Sequence, residues 1–275
     1  METCRWGVLL SQRKNSTMQP NLLIAFLLPT FLGCTDTLVS QSVAISDSTT
    51  YHNKSFAKIS EIPLPEGYSR ITLEKNSFGE WLRNVGLKND KTVYLYNGSK
   101  KRNQSAQYAV LNISVGDKDL QQCADAVMRL RADYLFEQKR YSEISFSDNN
   151  GKAYKAPISG DRKSFDRYLE QVFSWCGTLS LEKQLKPVHD LSAIVPGDVL
   201  IKGGSPGHAA IVMDVAINNK GEKLFALANS YMPAQDIHVV VNPETEDLNP
   251  WFSATKSGEI KLPEWVFNSI QLRRW

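Results

Sequence analysis

A thiol, an imidazole and a carboxamide stand far apart in the chain, each at a position from which it could do chemistry. Cys123 opens a stretch with helical apolar spacing and is preceded by Gln121 and Gln122. His208 follows the glycine turn Gly203-Gly-Ser-Pro-Gly207 and begins an apolar run. Asn229 closes the next run, followed by Ser230 and Tyr231. A thiol attacks a carbonyl well only as a thiolate, so it needs a base and an electropositive setting. The base needs a third group to hold its ring. These types fit Cys123 as nucleophile, His208 as general base and Asn229 as the orienting group. Gln122 or Gln121, with the Cys123 backbone N–H, could donate to an oxyanion. Ser230, Tyr231 and Gln235 are candidates for substrate contact. Each residue also has a plain reading: Cys123 on a buried face with Val127 and Leu130, His208 as a turn residue bonded to a carbonyl. Gln235 or His238 could stand in for Asn229.

The elements that must carry these residues follow from periodicity. Ala124, Val127, Met128, Arg131 and Leu135 fall at helical spacing, which predicts a helix from Asp119 to Leu135 with Asp119 as its N-cap. A thiol in the first turn would feel the partial positive charge of the helix start. Ser77 to Arg83 reads as a short helix with a Ser77/Glu80 capping box. Residues 164–185 form a second helical region that Gly177 kinks or splits, with Cys176 in its apolar stripe. Strands are expected at 92–96, 108–115, 141–146, 199–201, 209–215, 223–228 and 237–241, with turns at Asn97-Gly98, Asp148–Gly151 and Asn218–Gly221. The fold expected is α+β: an antiparallel sheet with helices packed mainly on one side. Trp251, Phe252, Trp265 and Phe267 are expected in the core, or along a sugar-binding cleft.

The chain has 275 residues, 42% hydrophobic and 22% charged, with a formal charge of +3. That is a globular composition. No basic run interleaves with stacking aromatics, which argues against nucleic acid as a partner. Of the four cysteines, Cys4, Cys34, Cys123 and Cys176, no pair has C-x-x-C spacing, so neither a zinc site nor any other metal is expected, and no cofactor is called for. Cys123 and Cys176 could instead form a disulfide in an exported protein.

Residues 1–33 have the layout of a signal peptide, with Arg13 and Lys14 before the apolar core Leu22–Leu28. Phe31-Leu-Gly-Cys34 resembles a bacterial lipobox, with Phe31 where leucine is usual. The resemblance implies cleavage before Cys34 and a lipid on its sulfur, hence an exported lipoprotein held at the membrane of the bacterial envelope without a spanning helix. A plain signal peptide is the alternative. Residues 34–63, rich in Ser, Thr and Asn, read as a tether, and 64–275 as one domain.

The order Gln122-Cys123, Pro196-Gly-Asp-Val199, Gly207-His-Ala-Ala-Ile-Val212 resembles the papain-like bacterial cell-wall hydrolases, the CHAP amidases and NlpC-type endopeptidases, over roughly 119–231. The resemblance implies a papain-like fold enlarged by insertions and a cysteine amidase or peptidase acting on peptidoglycan peptides. From about Phe78 to Leu272 the chain also resembles the bacterial domain of unknown function numbered 4846. That likeness rests on Asp119–Val127, Gly203–Ala209, Ser230–Asp236 and Pro263-Glu-Trp265. It implies no activity. A catalytically inactive envelope lipoprotein, binding a ligand along Ser230–Gln235 and the tryptophans, is the competing reading.

Overall fold

The computed structural model describes residues 56–275, apart from 159 and 256. The signal peptide, Cys34 and most of the expected tether therefore lie outside the described residues. Along the chain run β1 (Tyr68–Arg70), α1 (Phe78–Arg83), β2 (Gln107–Val110), α2 (Cys123–Glu137), β3 (Ser145–Ser147), β4 (Ala153–Lys155), α3 (Arg162–Trp175) and α4 (Thr178–Gln184). They continue with β5 (Lys186–Pro187), β6 (Val199–Lys202), β7 (His208–Asn218), β8 (Lys223–Asn229), β9 (His238–Val240), β10 (Trp251–Ser253), β11 (Glu259–Lys261), β12 (Val266–Asn268) and β13 (Leu272–Arg274). The fold is α+β. An antiparallel sheet runs β2-β9-β8-β7-β6-β13-β5, with β1 also paired to β7 and β10 to β8.

The sheet is built on β7. Its first half pairs with β6, Lys202 opposite His208, and its far end pairs with β1, Tyr68 opposite Asn218. Its apolar run is continuous because both faces are covered. Ala209, Ile211 and Met213 join the core beneath α1, α2 and α3. Ala210, Val212 and Val215 join a second core with Phe225, Phe252, Ile260 and Phe267. A register shift between Val212 and Asp214 restarts the alternation. It leaves Asp214 buried, where Arg70 Nε (2.6 Å) and Arg83 Nη2 (2.7 Å) clamp it.

Several elements depart from expectation. The folded part starts before residue 64, since Phe56, Ile59 and Ile62 are buried in the main core. The helix expected from Asp119 begins at Cys123, with Gln122 as the flanking residue. Asp119 is engaged elsewhere: its Oδ1 accepts from Ala234 N–H at 2.7 Å. Residues 164–185 split at Cys176 and Gly177 into α3 and α4, and Asp161 caps α3 through Lys163 and Ser164 N–H. Residues 92–96 make only isolated bridges, Tyr94 with Lys100 and Leu95 with Gln235. Among the described residues no helix is long and apolar enough to cross a membrane.

Candidate active site

Cys123 occupies the first helical position of α2. Such a residue's N–H has no partner within the helix. The turn is held by Asp125, whose Oδ2 reaches back to Gln122 N–H at 3.0 Å. The approach is pinned from the other side. Ser230 Oγ lies 3.1 Å from the Gln121 carbonyl and 2.9 Å from that of Gln235, sharing one proton between two acceptors. Ser230 is fully buried. It ties the loop before α2 to the loop after β8, a structural task rather than the substrate contact expected of it.

His208 is delivered by the turn before β7, and glycine is required there. A Cβ on Gly207 would strike the Gly204 carbonyl and the Thr178 hydroxyl, and one on Gly203 would stand 2.6 Å from Glu182 Oε2. Gly204 has φ +114°, a region L side chains rarely adopt. These contacts press the turn onto α4. His208 is then sandwiched among aromatic rings, with centroids at 4.8 Å to Tyr231, 5.2 Å to Trp265 and 5.7 Å to Phe267.

Cys123 and His208 line one cavity of about 490 Å³. Gln122, Asp125, Cys176, Thr178, Tyr231 and Trp265 also line it. Asn229 stands behind the histidine, its amide nitrogen 3.0 Å from His208 Nε2. Asn229 Oδ1 is buried without a partner. Directly across the sheet from Asn229 is His238. Its Nδ1 meets the Asp236 carbonyl at 3.0 Å, and its Nε2 has no partner. His238 therefore neighbours the third position without occupying it.

Burial governs the electrostatics. Desolvation, then the Asp125 carboxylate, pushes the Cys123 thiol up to about 11, partly offset by the amides of Ala124, Ala209 and Cys123 itself. Desolvation and the cation of Lys101 bring His208 down to about 3. Lys101 is itself paired with Glu264. At neutral pH the site thus holds a neutral thiol and a neutral imidazole.

The expected residues fall into two groups. Cys123, His208, Gln122 and Tyr231 line the cavity, and Asn229 backs it. Gln122 Nε2 donates to Asp119 Oδ1 at 3.2 Å. Gln121 does not share the cavity. Its Oε1 accepts from Arg129 at 3.1 Å, and it lines a separate hollow with Arg129 and Glu170. Gln235 is buried, and like Ser230 it lies off the cavity wall. Cys123 and Cys176 are both free, so of the alternatives for this pair the disulfide is not the one formed. Cys176 is buried in the main core, as its place in the stripe implied, but it also borders the cavity. Trp265, expected in the core or along a cleft, lines the cavity. Asp125 and Thr178 are cavity residues that the sequence reading did not assign, and of these only Asp125 carried a signal, two residues beyond Cys123. Among the described residues no group of three His, Cys, Asp or Glu could hold a metal ion.

A family model described as domain of unknown function (4846) matches residues 59–160 and 152–274. No curated protein and no solved structure matches the chain.

Proposed function

For this chain, which belongs to the family of domain of unknown function 4846, we propose a cysteine hydrolase that cleaves an amide bond in cell-envelope peptides such as those of peptidoglycan. The observation that carries this reading is the shared cavity: a free thiol at a helix start and an imidazole backed by a carboxamide border the same space. The papain-like likeness of the Cys–His–Asn order supports it, as does an antiparallel sheet with the cysteine helix laid against the histidine strand. The reading includes export and a lipid on Cys34.

In the proposed reaction the Asn229 amide is turned so that Oδ1 accepts the Nε2 proton of His208, an O/N choice that ring and amide leave open. The lone pair is then on Nδ1, which has no hydrogen bond among the described residues. The Cys123 sulfur attacks the carbonyl carbon while its proton passes to His208. Because both groups start neutral, transfer and attack are coupled rather than preceded by an ion pair. The Cys123 N–H and the Gln122 amide offer donors to the developing oxyanion. His208 returns the proton to the departing amine as the C–N bond breaks. Water then cleaves the thioester, releasing a carboxylic acid and restoring the thiol.

The test is turnover of purified peptidoglycan fragments by the wild type and by Cys123→Ala, read by mass spectrometry. Loss of cleavage with an unchanged melting temperature supports the reading, and full activity in the alanine variant removes it.

A second reading, a binding module with an inactive site, is favoured by the burial of the thiol, which pushes it up to about 11. Wild-type protein that binds the fragments without cleaving them would establish it.

A further inference from the structure

Two of the three rings that cover His208 converge on one residue. Trp265 follows Glu264 in the turn between β11 and β12, and the Tyr231 hydroxyl donates to the Glu264 carbonyl oxygen at 3.4 Å. The Glu264 carboxylate is gripped in turn. Lys101 pairs with Oε2, and the Asn103 amide donates to Oε1 at 3.3 Å. Lys101 is buried, and its N–H fixes its own segment to the Val93 oxygen at 2.9 Å. β11 and β12 pair with each other, outside the main sheet. Ile260, Leu262 and Phe267 anchor that hairpin in the second core. Glu264 ties its turn to a different part of the chain, the loop that carries Lys101.

A buried ion pair adds little stability over apolar side chains of the same volume. Its use then lies in the geometry it fixes. Here that geometry is the wall around the imidazole. His208 is only 1% exposed. Asn229 holds the ring from behind, and Tyr231, Trp265 and Phe267 pack around it. The charged and titratable groups around it are Lys101, His238 on β9, Tyr231, Lys202 opposite on β6, and Cys123 and Asp125 from α2. The Lys101 cation pushes the imidazole down. Removing Glu264 would leave Lys101 unpaired and strengthen that push. It would also free the turn and let water reach the ring, which acts the other way. The two effects have opposite signs, so an experiment can tell them apart.

We propose that Glu264, anchored on Lys101, is a positioning residue: it fixes the turn between β11 and β12 so that the Tyr231 and Trp265 rings close over His208 and keep water from its imidazole. A base must be neutral to accept the thiol proton. That His208 is the base rests on the hydrolase reading; the closing of the wall does not.

The experiment uses the full chain with isotope-labelled histidine, followed by NMR from about pH 8 to about pH 5. His208→Gln identifies the ring signal by its loss. In the wild type the ring should stay neutral throughout. In Glu264→Ala it should titrate with its midpoint above about 5, against about 3 in the wild type. Glu264→Gln, which keeps an oxygen for Lys101 and Asn103, should restore the neutral ring. If the alanine variant does not fold, Glu264→Asp takes its place: it keeps the charge facing Lys101, is one methylene shorter, and should show the same titration. A ring that stays neutral in the folded variant, or that titrates equally in Glu264→Gln, overturns the proposal. Turnover of peptidoglycan fragments over the same range keeps the two readings apart. With His208 as the base, Glu264→Ala should lose about tenfold per pH unit below its new midpoint while the wild type holds. Wild-type protein that cleaves nothing sinks the hydrolase alone, and the NMR titration still decides the role of Glu264.

Discussion

Asp214 and Asp125 are both buried carboxylates, one within β7 and one in the first turn of α2, and the chain treats them oppositely. Asp214 sits in the middle of β7 and is saturated: Arg70, Arg83 and the Val215 N–H all reach it. Asp125 sits at the start of α2 with one acceptor spent and the other bare. The first arrangement locks β1 and α1 to the central strand. The second leaves a cavity wall under-satisfied beside a free thiol. On the proposed hydrolase reading, stability and chemistry belong to different ends of the same α/β interface, and substitutions should separate them.

The largest separation is expected at Cys123. If the thiol is the nucleophile, Cys123→Ala should lower kcat/KM by at least about 10⁴-fold, the scale seen when a nucleophile is removed. The melting temperature should barely move, because the residue is partly exposed and loses a single sulfur. A steady-state assay paired with thermal melting checks both halves. A variant that unfolds instead would place Cys123 with Asp214 on the structural side.

Asp214→Ala should do the reverse. Removing a buried partner leaves two guanidinium groups uncompensated, which costs about 3–5 kcal/mol. Urea unfolding should show that loss, while any protein still folded should retain alkylation of Cys123. An undiminished urea midpoint would mean that solvent already reaches Arg70 and Arg83 well enough to replace the carboxylate.

Acid should attack the site end through its histidines. His208 and His238 are both brought down to about 3, mainly by burial. A folded pKa below the ordinary value means the folded state binds fewer protons than the unfolded one. The associated stability is complete above about 6.5 and is lost as the pH falls toward 3, at about 1.4 kcal/mol per pH unit for each ring. Urea midpoints between pH 7 and pH 4 would show the slope, and a flat profile would mean that the rings are solvated.

The parts of this molecule that sequence could reach are those set by local rules. Cys123 at a helix start, His208 after a glycine turn and Asn229 at a strand end are each fixed by neighbours within a few residues. The continuous apolar run of β7 is local in the same sense. What failed depended on distant partners. Thr92–Tyr96 has strand composition, but its amides find a carboxylate and a loop carbonyl: Tyr94 N–H meets Asp236 Oδ2 at 3.0 Å, and Tyr96 N–H meets the Ala234 oxygen at 2.9 Å. Asp119 looked like a cap until Ala234 claimed it. Thr178 reaches the cavity only through the placement of α4, and no spacing within its own segment records that.

The smallest effect, and the sharpest check on the comparison, concerns Cys176. It borders the same cavity as Cys123, yet it ends α3 within the main core. Burial lifts its thiol to about 12, above the value of about 11 for Cys123. Both thiols are therefore protonated in the folded state at neutral pH. The sign follows: their contribution to stability is present below the unfolded value and is lost as the pH rises toward 11 and 12. Iodoacetamide labelling should be slow at pH 7 and should quicken about tenfold per pH unit as the thiolate fraction grows. Cys176→Ala should leave the Cys123 labelling rate within about twofold and cost only about 1 kcal/mol, the usual size for a small buried truncation. Peptide mapping of the alkylated protein between pH 7 and pH 10 decides the matter. Preferential modification of Cys176, or a Cys123 rate already at its plateau by pH 7, would mean that the two thiols have been assigned to the wrong ends of the contrast drawn from Asp214 and Asp125.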